Sequence, residues 1–327
     1  MLIPALFVFF ASLLLTGLIR RYALNRQLLD IPNERSSHLI PTPRGGGLAC
    51  VLSITCASLF LYWTKQLSLY QLATISTCIP VAIIGFLDDH GHVRARWRLL
   101  IHVLAASSAI YCINLSAYPL HIDSPALINM LIAIFLLVWS LNLFNFMDGT
   151  DGIAASEAVF VASSLAGFLY AVNPSLSMIG ICISAAVCGF LCWNWPSAKI
   201  FMGDVGSGYL GLMLGLLILL SALQAPALLF SGLILYGLFI CDASYTLLIR
   251  VFTGQPWHQA HRSHTYQHAA ARYGHLPVLI ICWVINLFWL LPLATLVFFH
   301  PDLGIPALLG SYIPLLLLAN YYKAGHA

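Results

Sequence analysis

Long runs of apolar residues follow one another along most of the chain, separated by short polar segments. A helix needs roughly 20 apolar residues to cross a bilayer, and about eleven segments approach that length. They lie near residues 2–22, 46–64, 68–87, 97–115, 126–147, 152–172, 176–194, 206–223, 226–250, 276–299 and 304–322. The strands of a membrane barrel would be shorter and would alternate apolar with polar positions. The pattern therefore predicts an all-α integral membrane protein with about eleven transmembrane helices.

The composition agrees with a membrane protein and excludes other classes of protein. Hydrophobic residues make up 61% of the 327 residues and charged residues only 8%, whereas soluble domains carry about 25% charged residues. A soluble enzyme, or a soluble domain with a small anchor, is therefore excluded. The nine cysteines lie within apolar runs and form no CxxC pair, so we interpret them as apolar filler. Because no repeat or linker interrupts the pattern, we expect a single domain, 1–327.

The basic residues predict the orientation of the chain. Of the 14 Lys and Arg residues, all except Lys65 fall on one side of the predicted membrane. The positive-inside rule makes that side cytoplasmic, with the N-terminus outside and the C-terminus inside; the family resemblance described below implies a bacterial inner membrane, and hence a periplasmic N-terminus. The loops on this side cover about 23–45, 88–97, 148–152, 195–206 and 251–275. A net charge of +3 is too small to indicate a nucleic-acid partner.

Carboxylates gather on the same side of the predicted membrane. Of the 11 Asp and Glu residues, only Asp123 and Asp302 fall on the opposite side. An ionisable group in or beside the hydrocarbon is costly and is by default a hypothesis of function. Acidic groups with Asn neighbours suit a hard cation, and Mg²⁺ usually binds through one or two carboxylates plus substrate phosphates. We therefore expect one site at the cytoplasmic surface.

An acidic pair, Asp88 and Asp89, ends the third apolar segment. Negative charge at a helix C-terminus opposes the helix dipole and requires nearby cations. Arg94, Arg96 and Arg98 follow closely and can supply them. A solvated helix end is the structural alternative.

Two further polar stretches interrupt apolar segments. Asn142, Asn145 and Asp148 recur at a spacing that places them on one helix face, and Asp151 follows among glycines. A polar seam between packed helices is the alternative. Asp204 stands in a glycine-rich stretch at the start of the eighth segment. It could simply cap that helix, or the glycines could let a phosphate reach free N–H groups there.

Two loops add cationic groups. Arg35, His38 and Arg44 lie in the first loop, which prolines stiffen and three glycines close. The ninth loop carries four histidines within eleven residues, among them His261 and His264 on either side of Arg262. Such a cluster could bind zinc, but the ligands elsewhere suit Mg²⁺ and no Cys accompanies it. Histidine and arginine are equally suited to phosphate oxygens.

These motifs, in this order, resemble the polyprenyl-phosphate N-acetylhexosamine-1-phosphate transferases, which include the phospho-MurNAc-pentapeptide translocase and the GlcNAc-1-phosphate transferases. The resemblance covers nearly the whole chain. It rests on the first loop, the Asp88–Asp89 pair, the stretch from Asn142 to Asp151, the stretch around Asp204 and the His-rich loop. The segment from Trp257 to His264 is most similar to the O-antigen branch, whose donors include UDP-N-acetyl-fucosamine and UDP-N-acetyl-quinovosamine.

The resemblance implies roles for individual residues. Asp204 and Asn145 would hold Mg²⁺, or Mn²⁺ as a substitute, while Asp88 and Asp89 would act on the lipid phosphate and Asp148 would join them as a catalytic group. Asp151 would contact the uracil end of the donor. The remaining substrate-binding candidates are Arg35, His38, Arg44, Arg96, Arg98, Asn142, His261, Arg262 and His264. His92 and the residues after His264 depart from other branches, which affects the expected contacts with the sugar.

The expected reaction is transfer of an N-acetylhexosamine phosphate from a UDP-sugar to undecaprenyl phosphate, with release of UMP, at the start of O-antigen or lipopolysaccharide synthesis. Its expected partners are that donor, that acceptor and the surrounding membrane lipids, with a homodimer left open. Single displacement is favoured over a phospho-Asp intermediate. An ion-coupled secondary transporter with a cytoplasm-facing acidic site is the alternative. A prenyltransferase and a CDP-alcohol phosphotransferase are disfavoured, because their acidic motifs are incomplete here.

Overall fold

The computed structural model describes residues 2–32, 40–113, 126–256 and 261–326. Its helices in chain order are α1 (Leu2–Asn25), α2 (Gly47–Trp63), α3 (Leu69–Ser76), α4 (Ile79–His90), α5 (Ala95–Cys112), α6 (Ala126–Met147), α7 (Ile153–Leu169), α8 (Pro174–Asn194), α9 (Asp204–Gln224), α10 (Ala227–Leu235), α11 (Gly237–Phe252), α12 (Thr265–Tyr273), α13 (His275–Ile285), α14 (Leu291–Phe299) and α15 (Gly304–Tyr321). A π-helical turn, Asn286–Leu290, joins α13 to α14. Strands β1 (Leu29–Asp30) and β2 (Thr42–Pro43) pair antiparallel.

Each predicted apolar segment forms a helix or a broken helix, which confirms the helical membrane architecture. Within the described residues, seven helical stretches are long and apolar enough to cross a bilayer, and the α10–α11 pair, bent by 68°, would make eight. Helices α2 and α7 are shorter, and α5 carries Arg96 and Arg98 in its first turn. The count of eleven spans and the orientation of the termini therefore stay predictions.

Helix α9 is the centre of the bundle. In its most apolar stretch 94% of the residues are buried, and it packs against α2, α4, α6, α7 and α10. Glycines permit two of these close contacts. A Cβ atom on Gly85 of α4 would lie 2.3 Å from the carbonyl oxygen of Asp204, and one on Gly47 would lie 2.3 Å from the Cα atom of Gly206. The first turn of α9 is thus pressed directly against α2 and α4.

The polar segments meet at one end of this bundle. Arg20, near the end of α1, donates from Nε to the carbonyl oxygen of Lys199, and the N–H of Gly325 donates to the carbonyl oxygen of Ser263, so the end of α1 and the segment after α15 both reach that side. The opposite end is marked by the bond from Asn173 to Gln224 at the end of α9. With a rise of 1.5 Å per residue, the two ends of α9 lie about 30 Å apart. Clustering of the predicted site segments at one end is therefore a feature of the fold.

We expect Gly85→Ala to lower the stability of the protein, because the added methyl group meets backbone atoms of Asp204 that cannot move aside. Overpacking of this kind costs about 1–3 kcal/mol. The matched control is Gly167→Ala on α7, where nothing lies within 4 Å of the added carbon and alanine favours the helix. Thermal unfolding in detergent should show a lower Tm for the first variant only. Equal Tm values would contradict the close approach of α4 and α9.

Candidate active site

The carboxylate of Asp89 caps the central helix. Its Oδ1 accepts from the N–H of Asp204 and its Oδ2 from the N–H of Val205, each at 3.1 Å. These N–H groups are among the first four of α9, which have no partner within the helix. The expectation that a phosphate could reach free N–H groups here is wrong for these two, because Asp89 already occupies them. Asp89 is 5% exposed, so the carboxylate that caps α9 is itself largely closed to solvent.

A glycine and a short loop make this cap feasible. Gly203 precedes α9 with a φ of 76°, and a Cβ atom there would lie 2.6 Å from Oδ2 of Asp89. Gly46 and Gly47 donate backbone hydrogen bonds to residues 201 and 202. Arg44, in the same loop, donates from Nη2 to the backbone carbonyl of Asp89 at 2.7 Å. The end of the first loop, from Arg44 to Gly47, is thus fixed against both α4 and the start of α9.

Arg98 lies between two carboxylates. Its Nη1 is 2.5 Å from Oδ2 of Asp88 and 2.6 Å from Oδ2 of Asp204. The other oxygen of Asp88 accepts from the N–H of Val93 at 2.8 Å. The Arg98 side chain is 30% exposed, so solvent and ligands can reach this contact. Two carboxylates at the meeting point of three helices therefore converge on a single positive group.

The end of α6 borders the same carboxylates. Ser207 on α9 donates to Oδ1 of Asn145 at 2.7 Å, while Asn142 donates from Nδ2 to the backbone of its own helix. Asp148 follows α6 directly. Burial raises the pKa of Asp148 well above its usual range, and the nearby carboxylates of Asp204 and Asp89 raise it further. Asp148 therefore belongs to the acidic cluster, and its carboxyl group loses its proton less readily than usual.

The donor set around Asp204 fits a hard cation. Carboxylate oxygens of Asp88 and Asp204 already converge on the positive charge of Arg98, and the amide oxygen of Asn145 is held beside them through Ser207. Among the described residues, no group of three His, Cys, Asp or Glu side chains is arranged to hold a metal. One or two carboxylates plus substrate phosphates is the usual set for Mg²⁺, so a complete protein cage is not required.

Asp151 connects the start of α7 to two other segments. Its Oδ2 accepts from the N–H of Ala198 at 3.1 Å and lies 3.2 Å from Nδ1 of His275. The neighbouring Gly152 donates to the side chain of Asn194 at 3.0 Å. Asp151 is 9% exposed. These contacts give Asp151 an evident part in joining three segments at this end of the bundle.

His264 is held by a buried acid on α11. Its Nδ1 lies 3.3 Å from Oδ1 of Asp242, and the two oxygens of Asp242 also accept from the N–H groups of Thr265 and Tyr266, at 2.9 and 3.0 Å. Asp242 and His264 are 7% and 3% exposed. The hydroxyl group of Tyr266 then donates to the carbonyl of Phe146 at 2.9 Å. Asp242 thus caps α12, orients His264 and places it against the end of α6.

His261 contributes hydrogen bonds rather than charge. Its ring stacks on His264 with 5.0 Å between ring centroids, and its Nδ1 lies 3.0 Å from Oγ of Ser263. Burial lowers the pKa of His261 to about 4, and the positive charges of His264 and Arg250 act in the same direction. At neutral pH the His261 ring is therefore uncharged. Of His261 and Arg262, only the half-buried Arg262 carries a positive charge.

Of the expected residues that the structure describes, Arg96 does not enter the cluster. Arg35 and His38 lie outside the described residues. Arg96 is exposed, with its guanidinium 5.5 Å from the Trp97 ring centroid, and the arginine contacts described for the acidic pair come from Arg98 and Arg44. Asp242 had no assigned role in the sequence prediction. An acid in the middle of an apolar segment was the signal that could have identified it.

Comparison with known proteins supports a family for this chain. The model of glycosyl transferase family 4 matches residues 71–222, a region that runs from α3 to α9. The probable undecaprenyl-phosphate N-acetylglucosaminyl 1-phosphate transferase of Bacillus subtilis strain 168 is 27% identical over 282 residues, which cover 79% of this chain and 74% of the relative.

The mycobacterial relatives are longer. The decaprenyl-phosphate N-acetylglucosaminephosphotransferases of Mycolicibacterium smegmatis and Mycobacterium tuberculosis H37Rv are 30% identical over 240 residues, which cover 65% of this chain and 57% of each relative. The chain thus spans little more than half the length of these two proteins. The chain is thus similar to glycosyl transferase family 4 and to polyprenyl-phosphate N-acetylglucosamine-phosphate transferases, and the O-antigen branch stays a prediction.

We expect the two adjacent acids to respond differently to amidation. Asp89→Asn puts an N–H group where a backbone donor of α9 now finds an acceptor, and a buried group left unpaired costs about 1–3 kcal/mol. Asp88→Asn weakens only a partly exposed ion pair, which is worth about 0–1 kcal/mol. Thermal unfolding in detergent should show a clearly lower Tm for the Asp89 variant. A larger loss from Asp88→Asn would contradict the capping role.

The raised pKa of Asp148 predicts a pH-dependent stability difference. Folded protein keeps this proton at pH values where the unfolded chain, with a pKa of about 3.9, has lost it. The parent protein therefore loses stability as the pH rises through the raised pKa, whereas Asp148→Asn has no charge to bury. In EDTA, the Tm of the variant minus that of the parent should be greater at pH 8 than at pH 5. The control is the exposed Asp302→Asn, and a pH-independent difference for Asp148→Asn would contradict the burial.

Proposed function

We propose that the chain transfers an N-acetylhexosamine 1-phosphate from a UDP-sugar to undecaprenyl phosphate. The observation that carries the proposal is the convergence of Asp88, Asp204 and Arg98 at the buried start of α9. It gains support from relatives whose names describe transfer to polyprenyl phosphates. An oxygen of the lipid phosphate attacks the sugar-bearing phosphorus, the bond from that phosphorus to the UMP oxygen breaks, and a lipid-linked diphosphate sugar remains in the membrane.

Charge is the main obstacle to this reaction, because donor and acceptor phosphates repel each other. Asp204 and Asn145 are the residues that would hold Mg²⁺, or Mn²⁺ in its place. Such an ion would neutralise charge at the donor phosphates and so favour the departure of UMP. The guanidinium of Arg98 is positioned to exchange a carboxylate partner for a phosphate oxygen, because it is partly exposed. Arginine suits this exchange because its planar fork binds carboxylates and phosphates alike.

The two acids of the pair have separate tasks in this proposal. Asp89 holds the start of α9 with both of its oxygens, so it sets the position of Asp204. Asp88 is the acid that meets the lipid phosphate, and it acts as base where a proton must leave. A phosphate monoester has a second pKa near 6, so little base strength is needed. Single displacement follows, since no covalent intermediate is required, and Asp148, which holds its proton because its pKa is raised, borders the metal position.

The donor pyrophosphate binds on the other side of the acidic cluster. His264, oriented by Asp242, and Arg262 donate charge-assisted hydrogen bonds to it, while the neutral ring of His261 adds a neutral one. Asp151 faces the uracil end of the donor. Positioning two substrates in line can lower the barrier by up to roughly 7–11 kcal/mol, so much of the catalysis comes from holding them together.

The proposed setting is the cytoplasmic face of a bacterial inner membrane, since 13 of the 14 basic residues are expected there. The glycan would be of the O-antigen or lipopolysaccharide type, because of the resemblance of the His-rich loop. A secondary transporter would place its site near the midplane of the bilayer. The clustering of these acids at one end of α9 favours the transferase over that alternative.

We expect Asp204→Asn to reduce UMP release by a factor on the order of 100 or more, a typical loss when an electrostatic group at a reacting phosphate is removed. Purified protein is assayed with undecaprenyl phosphate, Mg²⁺ and a panel of UDP-N-acetyl sugars. The control is Asp302→Asn, in the turn before α15, which should keep parental activity. Release that needs both lipid and metal supports the proposal. No release by folded parent protein with any donor, or full activity of Asp204→Asn, would overturn it.

A further inference from the structure

An apolar cavity lies between α11, α12, α13 and α15, away from the acidic cluster. Its accessible volume is about 90 Å³, and it is open on one side. Side chains from three helices form its walls, among them Leu238, Val278, Ile281, Ile285, Leu315 and Leu318. Interiors of proteins are otherwise closely packed, so a space of this size calls for an occupant.

The open side of the cavity faces the bilayer. Ile281 on α13 and Leu318 on α15 line it and are 51% and 37% exposed. Both helices belong to stretches that are apolar enough to span a membrane. Water would avoid this apolar mouth, whereas hydrocarbon chains surround it. The wall extends for about 10 Å along α13, from Val278 to Ile285. This length suits part of an extended acyl chain.

One end of the cavity is polar. The hydroxyl group of Thr265, a residue only 8% exposed, lines the cavity and has no hydrogen-bond partner within the described residues. A buried hydroxyl without a partner costs about 1–3 kcal/mol. The carboxylate of Asp242, also in the lining, is already occupied by backbone and side-chain donors. The cavity therefore offers one free donor at the end where α12 begins.

The rim at this end is basic and aromatic. Tyr273 and Tyr322 line the cavity, and the guanidinium of Arg272 lies 5.2 Å from the Tyr273 ring centroid. Lys323 is exposed beside Tyr322. Tyrosine is favoured at the level of lipid head groups, and juxtamembrane Lys and Arg attract anionic lipids.

We propose that this cavity binds an anionic phospholipid from the surrounding bilayer. One acyl chain fills the apolar wall between α13 and α15, an ester oxygen accepts from Thr265, and the phosphate lies near Arg272 and Lys323. The bound lipid would support α12, which begins directly after His264. The site is separate from the proposed catalytic cluster, because Tyr266 stands between them with its hydroxyl group on Phe146.

The test counts lipids that stay bound. Delipidated full-length protein is incubated with palmitoyl-oleoyl phosphatidylglycerol, and native mass spectrometry then records the adducts. Ile281→Trp fills the mouth of the cavity, while Ile280→Trp is its matched control, since Ile280 is 50% exposed on the same helix but does not line the cavity. Thr265→Val removes the free hydroxyl group and keeps the shape of the side chain.

We expect one retained phosphatidylglycerol on the parent protein and on Ile280→Trp, at least tenfold less on Ile281→Trp, and about fivefold weaker retention on Thr265→Val. Phosphatidylcholine should be retained less than phosphatidylglycerol. Equal retention by the two Trp variants, or by the parent and Thr265→Val, would overturn the proposal. So would retention of undecaprenyl phosphate alone. None of these readouts uses UMP release, so failure here is distinct from failure of the proposed reaction.

Discussion

The hydrogen bonds from the first two N–H groups of α9 to Asp89 are the interaction on which the rest of the site depends. They turn a helix end, which would otherwise present unpaired donors within a buried bundle, into a satisfied junction between α4 and α9. Gly85 and Gly203 let α4 and the start of α9 approach closely enough for these bonds to form. Asp204, as the first residue of α9, is thereby fixed beside Asp88.

This junction concentrates negative charge, and the surrounding structure compensates for it. Arg98 bridges Asp88 and Asp204, and Arg44 donates a hydrogen bond to the end of α4. The pKa of Asp148 is raised, so this residue retains its proton more readily and adds less negative charge. A site that already needs one cation between two carboxylates is predisposed to take a divalent ion together with anionic substrates. The acids lie together because α4, α6 and α9 bring them to the same end of the bundle.

The sequence predicted the helices and the common face of the acids because both are carried by local patterns: apolar length and the position of polar residues at segment ends. It did not predict the contacts between distant segments. The bond from the N–H of Asp204 to the carboxylate of Asp89 joins residues 115 positions apart, and capping by a side chain of another helix leaves no local signal. For the same reason the free N–H groups expected at Asp204 were wrong, and the role of Asp242 in orienting His264 was missed. Spans such as α5 stay ambiguous because their arginines lower the hydropathy that identifies a membrane helix.

The most direct test of the account is the position of a manganese ion in crystals grown with Mn²⁺ and a UDP-N-acetyl sugar. The account predicts an anomalous peak about 2.1 Å from a carboxylate oxygen of Asp204, with Arg98 displaced toward the phosphates. A donor-bound structure with its manganese elsewhere, and with Arg98 still between Asp88 and Asp204, would contradict it.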